Sequence, residues 1–297
     1  MKKKLISIII NCYNGEKFLK KNLKSVLKQD YKNFEVIFID NCSTDRSAKI
    51  FKEINDKRFK YFKTKKKVKL YEGRNFALKK CNGQFITFLD TDDWWKKNFL
   101  SSRNKFYNSK KEYGFCYSNC YHYYENKNKF KPFSKKNLPS GFVLDDLLKY
   151  YFVKMGTIII KRKLISYQRF NPDYNIIGDY DFIIKASQKF KGMAFQDHLV
   201  NIRIHHNNFT QNNRNMFYKE FEKWYQSQNF NNVYFQKNRL FLKEKLEYLR
   251  IIDLLFRNKR FNLIYDIIKM RNFNNKLRLL FIYLMPIFII NFKLKYL

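Results

Sequence analysis

The first ninety residues alternate short apolar runs with helix-spaced apolar positions, and this alternation most restricts the fold. Leu5–Ile10, Phe34–Ile39, Phe59–Phe62 and Gln84–Leu89 are runs of four to six residues, as expected of strands buried on both faces. Between them, Leu19, Leu23, Val26 and Leu27, then Ile50, Phe51 and Ile54, recur at the spacing of one helix face. Tyr71–Cys81 reads as a further helix, ended by Asn82-Gly83. Asn14-Gly15 and Ser43 or Thr44 are expected to start the first two helices. This order predicts an α/β fold, with a mostly parallel sheet flanked by helices.

After Asp93 the pattern loosens. Trp94–Tyr107 reads as a helix, Tyr113–Tyr124 as one strand, and Lys127–Gly141 as a polar loop. Thr157–Ile160 is expected as a strand, and Tyr180–Phe190 as a helix with Phe182, Ile183, Ala186 and Phe190 inward. Beyond Asn212 the chain turns helical and amphipathic: Phe217, Phe221 and Trp224, then Leu246, Leu249, Ile252 and Leu255. A boundary near residue 210 therefore separates a domain of residues 1–210 from a basic helical extension of residues 211–297.

Charge narrows the partners. Lys plus Arg total 61 against 25 Asp plus Glu, a formal net charge of +36. Such a chain attracts anions: nucleic acid, acidic lipid or phosphorylated substrates. No helix-turn-helix, zinc-finger or RNA-recognition signature is present, so a nucleic-acid-binding protein is the weaker reading and no nucleic-acid partner is expected. The joint richness in Lys, Asn, Ile, Phe and Tyr also fits an AT-rich coding bias, so charge alone decides little.

Five cysteines without framework spacing point to a reducing compartment. Cys116, Cys120 and His122 lack the fourth ligand of a closed zinc site. The opening Met1–Asn14 imitates a signal peptide, but Leu5–Ile10 is short for its apolar core and reads better as a first strand. Leu279–Ile290 is too short to span a bilayer and contains Pro286, so it reads as a core or interfacial helix.

In open α/β sheets, ligands sit beyond the carboxyl ends of strands. Asn11-Cys12-Tyr13-Asn14, Asp40 to Asp45, and Asp90-Thr91-Asp92-Asp93 all fall at such ends. Helix capping accounts for Asn14, Ser43 and Asp45. It does not account for three carboxylates in four residues, which repel one another and call for a cation. Mg²⁺ or Mn²⁺, held by one or two carboxylates plus substrate phosphates, suits that pattern. Downstream, Gly178-Asp179-Tyr180-Asp181 precedes an apolar-faced helix. A helix cap explains one of its aspartates, and the other is a candidate general base.

Taken together, these stretches resemble the family 2 glycosyltransferases of the GT-A fold. Ile6–Asn14 resembles the opening strand and Tyr-Asn turn. Val36–Asp45 resembles the nucleotide-base strand end. Gly73-Arg74-Asn75 followed by Gly83–Asp93 resembles the helix and DxD motif. Gly178–Phe182 resembles the segment of the catalytic base, and Arg203-Ile204-His205 a turn that closes the site. The resemblance covers residues 5–210. It implies Tyr13, Asn14, Asp40, Arg74, Asp90 and Thr91 as nucleotide-sugar-binding residues, with Asp40 on the base and Asp90 on the ribose. It implies Asp92 and His205 at the metal, and Asp179 as the base that deprotonates the acceptor. Three departures stand out: Asn11-Cys12 in place of Pro-Thr, Asn41-Cys42 in place of Asp-Gly, and Gly178 in place of Glu.

The function so implied is metal-dependent, inverting transfer of a sugar from a nucleotide-sugar donor, expected to be a UDP-sugar, to a hydroxyl of a glycan or lipid-linked acceptor. Surface polysaccharide or lipopolysaccharide synthesis is the setting. A cytoplasmic protein, peripheral at the anionic inner face of the membrane, is the expected location. Lys237, Arg239, Lys243 and Lys245 read either as a solvated basic face or as part of that contact. A nucleotidyltransferase with a similar nucleotide-binding half, and a non-enzymatic scaffold, are the alternatives. Neither gives Asp179 a purpose.

Overall fold

The computed structural model describes residues 4–206, 208–209, 213–257, 259–260 and 262–285. The chain divides into two compact units, Met1–Ile204 and His205–Leu297.

The first unit opens with β1 (Ile6–Cys12), α1 (Glu16–Leu27), β2 (Phe34–Asp40), α2 (Ser47–Lys52), β3 (Phe59–Lys63), α3 (Leu70–Lys80) and β4 (Phe85–Phe88). It continues with β5 (Trp94–Trp95), α4 (Asn104–Tyr107), β6 (Tyr113–Ser118), β7 (Tyr121–Tyr124), β8 (Lys129–Pro132), α5 (Leu144–Lys149) and β9 (Ile159–Lys161). It ends with α6 (Arg162–Tyr167), α7 (Gly178–Ser187), β10 (Lys191–Phe195) and β11 (Val200–Ile204).

One sheet has the order β10-β6-β9-β4-β1-β2-β3. Its pairs are parallel except at β9, which runs antiparallel to both β4 and β6. Burial on both faces explains the near-continuous apolar strands: every residue of β2 and β4 is buried. A second sheet has the order β5-β11-β7-β8.

Register places the site. Cys12 pairs with Asp40, and Ile9 with Phe88. Beyond these pairs, the Asn41 N–H donates to the Cys12 carbonyl and the Leu89 N–H to the Ile9 carbonyl. The chain thus leaves β1, β2 and β4 at one edge, where strand order switches direction about β1.

The structure corrects several sequence expectations. Trp94–Tyr107 is not one helix, because Trp94 and Trp95 pair antiparallel with Asn201 and Val200; a 3₁₀ turn and α4 follow. The single strand expected over Tyr113–Tyr124 breaks into β6 and β7, which join different sheets. The polar loop expected at Lys127–Gly141 contains β8, paired with β7. Neither Ser43 nor Thr44 caps α2, whose cap residue is Arg46.

The second unit contains α8 (Arg214–Gln226), α9 (Val233–Lys237), α10 (Arg239–Phe256), α11 (Leu263–Lys269) and α12 (Phe273–Leu284). Phe221 and Trp224 are buried as expected, but the inward line of α10 is Leu242, Ile251 and Leu255, whereas Leu246, Leu249 and Ile252 are only half-buried. Lys245 does not belong to a solvated basic face. Its ammonium lies over the Phe221 ring at 5.0 Å, and burial lowers its pKa to about 8. Among the described residues, no helix is long and apolar enough to cross a membrane. The apolar segment expected over Leu279–Ile290 is helical to Leu284, and its part beyond Met285 lies outside the described residues.

Candidate active site

Three strand ends build one side of the site. After β1, Asn14 takes a left-handed conformation (φ 50°), which asparagine tolerates better than most residues. Its N–H donates to Ser43 Oγ at 3.1 Å, and its Oδ1 accepts the Thr44 N–H at 2.8 Å. Asp45 accepts the Glu16 N–H, and Glu16 accepts the Arg46 N–H. The first two loops therefore satisfy each other's helix starts, which no local pattern foretells. Tyr13 is exposed. Thr91 lies against Gly15, where an added Cβ would be 3.2 Å from its Oγ1. This joins the third loop to the first.

Asp40 is fully buried. Its Oδ1 accepts the Ser43 N–H at 2.8 Å and its Oδ2 the Tyr61 O–H at 2.5 Å. Burial, then the Asp40 hydrogen bond and charge, push the Tyr61 pKa far up. Tyr61 was not among the sequence candidates, because its pairing with Asp40 is set by β2–β3 register.

The Asp90–Asp93 turn is held by its backbone. Buried Asn22 donates through Nδ2 to the carbonyls of Asp90 and Asp93, and Arg203 Nε donates to the Asp92 carbonyl. Asp93 points inward, where its Oδ1 accepts the Arg203 N–H at 2.9 Å. Burial, then the charges of Asp92 and Asp90, hold its pKa well above the carboxylate range. Asp90 and Asp92 are half-buried at the mouth.

Arg74 comes from α3. It is buried, ringed by Tyr71, Phe88 and Phe170, and donates through Nη2 to Asp90 at 2.8 Å. Burial alone would lower its pKa, yet Asp90, Tyr71 and Asp179 hold it above the ordinary value. Asp179 lies in the first turn of α7, where its Oδ1 accepts the Tyr180 N–H at 2.7 Å. Burial raises its pKa above the ordinary value, against the opposing charge of Arg74. Burial and the Asp179 charge in turn push the Tyr151 hydroxyl pKa far up. Asp181 is turned away, paired with Lys185 at 2.8 Å.

The fold therefore brings Arg74, Asp90 and Asp179 into one electrostatic neighbourhood from three distant stretches. Tyr71, Tyr151 and Asn22 belong to it and lack any sequence motif. His205 follows β11 directly and opens the second unit, its N–H donating to Asn208 Oδ1 at 2.6 Å.

Among the described residues, no three His, Cys, Asp or Glu side chains converge as a protein-only metal cage. Two half-buried carboxylates beside a buried third fit the other arrangement, in which substrate phosphates complete the coordination of a divalent cation.

Residues 7–168 match the family described as Glycosyl transferase family 2. The chain is 27% identical over 267 residues to an uncharacterized glycosyltransferase of Methanocaldococcus jannaschii, covering 85% of this chain and 90% of the relative. It is 32% identical over 189 residues to the UDP-Glc:α-D-GlcNAc-diphosphoundecaprenol β-1,3-glucosyltransferase WfaP of Escherichia coli, covering 64% of this chain and 72% of the relative. Among solved structures, S. aureus TarS 1–349 in complex with UDP-GlcNAc aligns with TM-score 0.64 at 19% identity, covering 94% of this chain and 80% of that one. The mannosyltransferase PcManGT from Pyrobaculum calidifontis, in complex with GDP-Man and Mn²⁺, aligns with TM-score 0.64 at 13% identity, covering 95% and 80%. At such identities these structures speak for the fold. The chain belongs to glycosyl transferase family 2, has the GT-A fold, and is a glycosyltransferase.

Proposed function

We propose that this glycosyltransferase moves a sugar, with inversion, from a UDP-sugar to a hydroxyl of a glycan or lipid-linked acceptor, assisted by Mn²⁺ or Mg²⁺. The observation that carries the proposal is Arg74, which bonds Asp90 on the donor side and electrostatically faces Asp179 on the other. Names of the relatives support the donor and acceptor classes: WfaP is named for UDP-Glc and a diphosphoundecaprenol acceptor, and TarS is bound to UDP-GlcNAc.

Asp179 is the general base. A raised pKa brings a carboxylate nearer the optimum for taking a proton at neutral pH. It removes the acceptor hydroxyl proton as that oxygen bonds to the anomeric carbon. The bond from that carbon to the diphosphate breaks, and its electron pair leaves with the nucleoside diphosphate. One displacement inverts the anomeric centre. Asp92, with Asp90 beside it, would hold the cation, which when bound offsets the charge growing on the leaving diphosphate. Tyr13, Asn14 and Thr91 line the nucleotide side, whereas Asp40, expected on the base, is fully buried with its oxygens engaged by Ser43 and Tyr61 and is read instead as shaping that loop.

The test is turnover. Purified protein is given UDP-, GDP- and dTDP-sugars with Mn²⁺ or Mg²⁺, with and without chelator, alongside Asp92→Ala and Asp179→Asn. Metal-dependent release of nucleoside diphosphate, lost in Asp92→Ala, is expected. Failure of every nucleotide sugar to bind in the presence of metal would overturn the donor-site assignment.

The proposal extends to peripheral attachment at the inner, anionic face of the cytoplasmic membrane. It is favoured by α12, which buries Leu279 and Ile282 on one side and exposes Phe273, Leu277, Phe281 and Leu284 on the other. Exposed Arg271 and Arg278 lie alongside. An exposed apolar row with basic neighbours suits the headgroup boundary of an anionic bilayer.

A further inference from the structure

The segment leaving β3, Lys63-Thr64-Lys65-Lys66-Lys67-Val68-Lys69, carries five lysines in seven residues. A run of like charge is ordinarily a solvated face, but this one is pinned to the site. The Thr64 N–H donates to the Asp40 carbonyl at 3.0 Å. Asn41 then grips Val68 twice, Nδ2 donating to its carbonyl and Oδ1 accepting its N–H, both at 2.8 Å. Asn11 Nδ2 reaches the Leu70 carbonyl at 3.5 Å. The segment is thus laced to the carboxyl ends of β1 and β2, the edge where a ligand of this sheet sits.

Asn41 explains one departure from the family pattern. Only a carboxamide offers both the donor and the acceptor that the Val68 backbone needs. An aspartate would face the Val68 carbonyl with a charge and no proton. The pinned segment carries the Lys67 ammonium to 3.7 Å from the centroid of the Tyr13 ring. Among the described residues, Lys65, Lys66 and Lys67 have no carboxylate within ion-pair distance. Three consecutive exposed lysines are thereby carried on a backbone held at Thr64 and Val68, beside a site read as taking a nucleoside diphosphate.

We propose that Lys65–Lys67 form an anion subsite for the diphosphate of the donor, with Lys67 as its principal contact and the Asn41–Val68 pair as the positioning element. Lys67 covers the Tyr13 ring. On donor binding its ammonium turns to the phosphates. The inference rests on the donor-site reading above and adds to it a recognition element for the diphosphate.

The test is equilibrium binding of UDP, UMP and uridine to the full chain with Mn²⁺, for wild type, Lys67→Met, Lys67→Arg, the triple Lys65→Met/Lys66→Met/Lys67→Met, and Asn41→Asp. Lys67→Met is expected to weaken UDP about tenfold, the loss of one charge-assisted hydrogen bond, and to leave uridine unchanged. Lys67→Arg should retain UDP binding. The triple variant should flatten the dependence of UDP affinity on salt. Asn41→Asp should weaken UDP while thermal stability shows the protein still folded. Equal UDP affinity and equal salt dependence in wild type and triple variant would overturn the subsite alone. Absence of nucleotide binding by the wild type would overturn the donor-site reading and the subsite with it.

Discussion

Buried Arg74 donates to Asp90 at 2.8 Å while Asp90 itself keeps a side chain 43% exposed. The cation is fixed and the carboxylate faces the mouth, so the guanidinium orients Asp90 and also holds down the proton affinity of Asp179. A base works only when ionised, so activity should fall as pH drops through the raised Asp179 pKa. Removing Arg74 removes a charge that favours the carboxylate, so the pKa rises further. Arg74→Met should therefore move the acid limb of the kcat/KM profile to higher pH, beyond any loss of rate. Arg74→Lys should keep the limb near its wild-type position. An acid limb unmoved in Arg74→Met would separate Arg74 from the base.

Gly178 departs from the family pattern for a steric reason. A Cβ there would meet Cδ2 and Cε2 of Tyr71 at 2.5 Å, and Tyr71 is anchored by its hydroxyl to the Ile176 carbonyl at 3.0 Å. Gly178→Ala should cost about 1–3 kcal/mol, the range for overpacking, read as a fall in the denaturation midpoint. Adding Tyr71→Ala should recover part of that loss, giving a non-additive double-mutant cycle. Additive losses would show that the two residues do not compete for one space.

What the sequence made legible follows from where the physics is local. β1, β2 and β4 are buried on both faces, so their apolar runs stand out, and the polar residues that end them, Asn11 and Asn14 at β1, Asp40 at β2 and Asp90 after β4, mark one edge of the sheet. Where structure depends on distant partners, the reading failed. Trp94 and Trp95 sit at helix-compatible spacing, but Val200 and Asn201 draw them into a sheet. The strand over Tyr113–Tyr124 breaks at Asn119, whose Oδ1 accepts the N–H groups of both Cys120 and Ser134 while its Nδ2 donates to the Ser134 carbonyl. Nothing near Asn119 in sequence announces Ser134. Likewise Asp40 was legible as a strand-end carboxylate, but its Tyr61 partner was not.

That partner is testable. Tyr61→Phe removes the hydroxyl that donates to Asp40 Oδ2 and leaves a buried carboxylate oxygen short of one donor. The cost is expected at about 1–3 kcal/mol. Asp40 also holds the Ser43 N–H, so loosening should spread to the Asn14–Ser43–Thr44 contacts and weaken UDP binding. Calorimetry and titration on the same variant check both effects. Unchanged UDP affinity in a destabilised Tyr61→Phe protein would confine the pair to stability.

The outward row of α12 gives the membrane proposal its sharpest test. Phe281 and Leu284 are 60% and 76% exposed, whereas Leu279 and Ile282 on the opposite side are buried. Charging the outer row should therefore spare the inner packing. Leu277→Glu/Phe281→Glu removes two apolar side chains, each contributing about 1.5–3 kcal/mol if fully buried in the bilayer boundary, and places acid beside an anionic surface. Binding to vesicles rich in acidic lipid should fall more than tenfold in co-sedimentation, with the denaturation midpoint unchanged. Wild-type binding should also weaken as salt rises, because lysines and arginines near the surface contribute through a screened field. Arg271→Gln/Arg278→Gln should lose part of that salt dependence while keeping the apolar contribution. If wild type ignored acidic vesicles at physiological salt, the exposed row would need another partner and peripheral attachment would be withdrawn. Nucleotide-sugar turnover in solution would stand unaffected, since the proposal assigns it to Asp92 and Asp179 in the first unit.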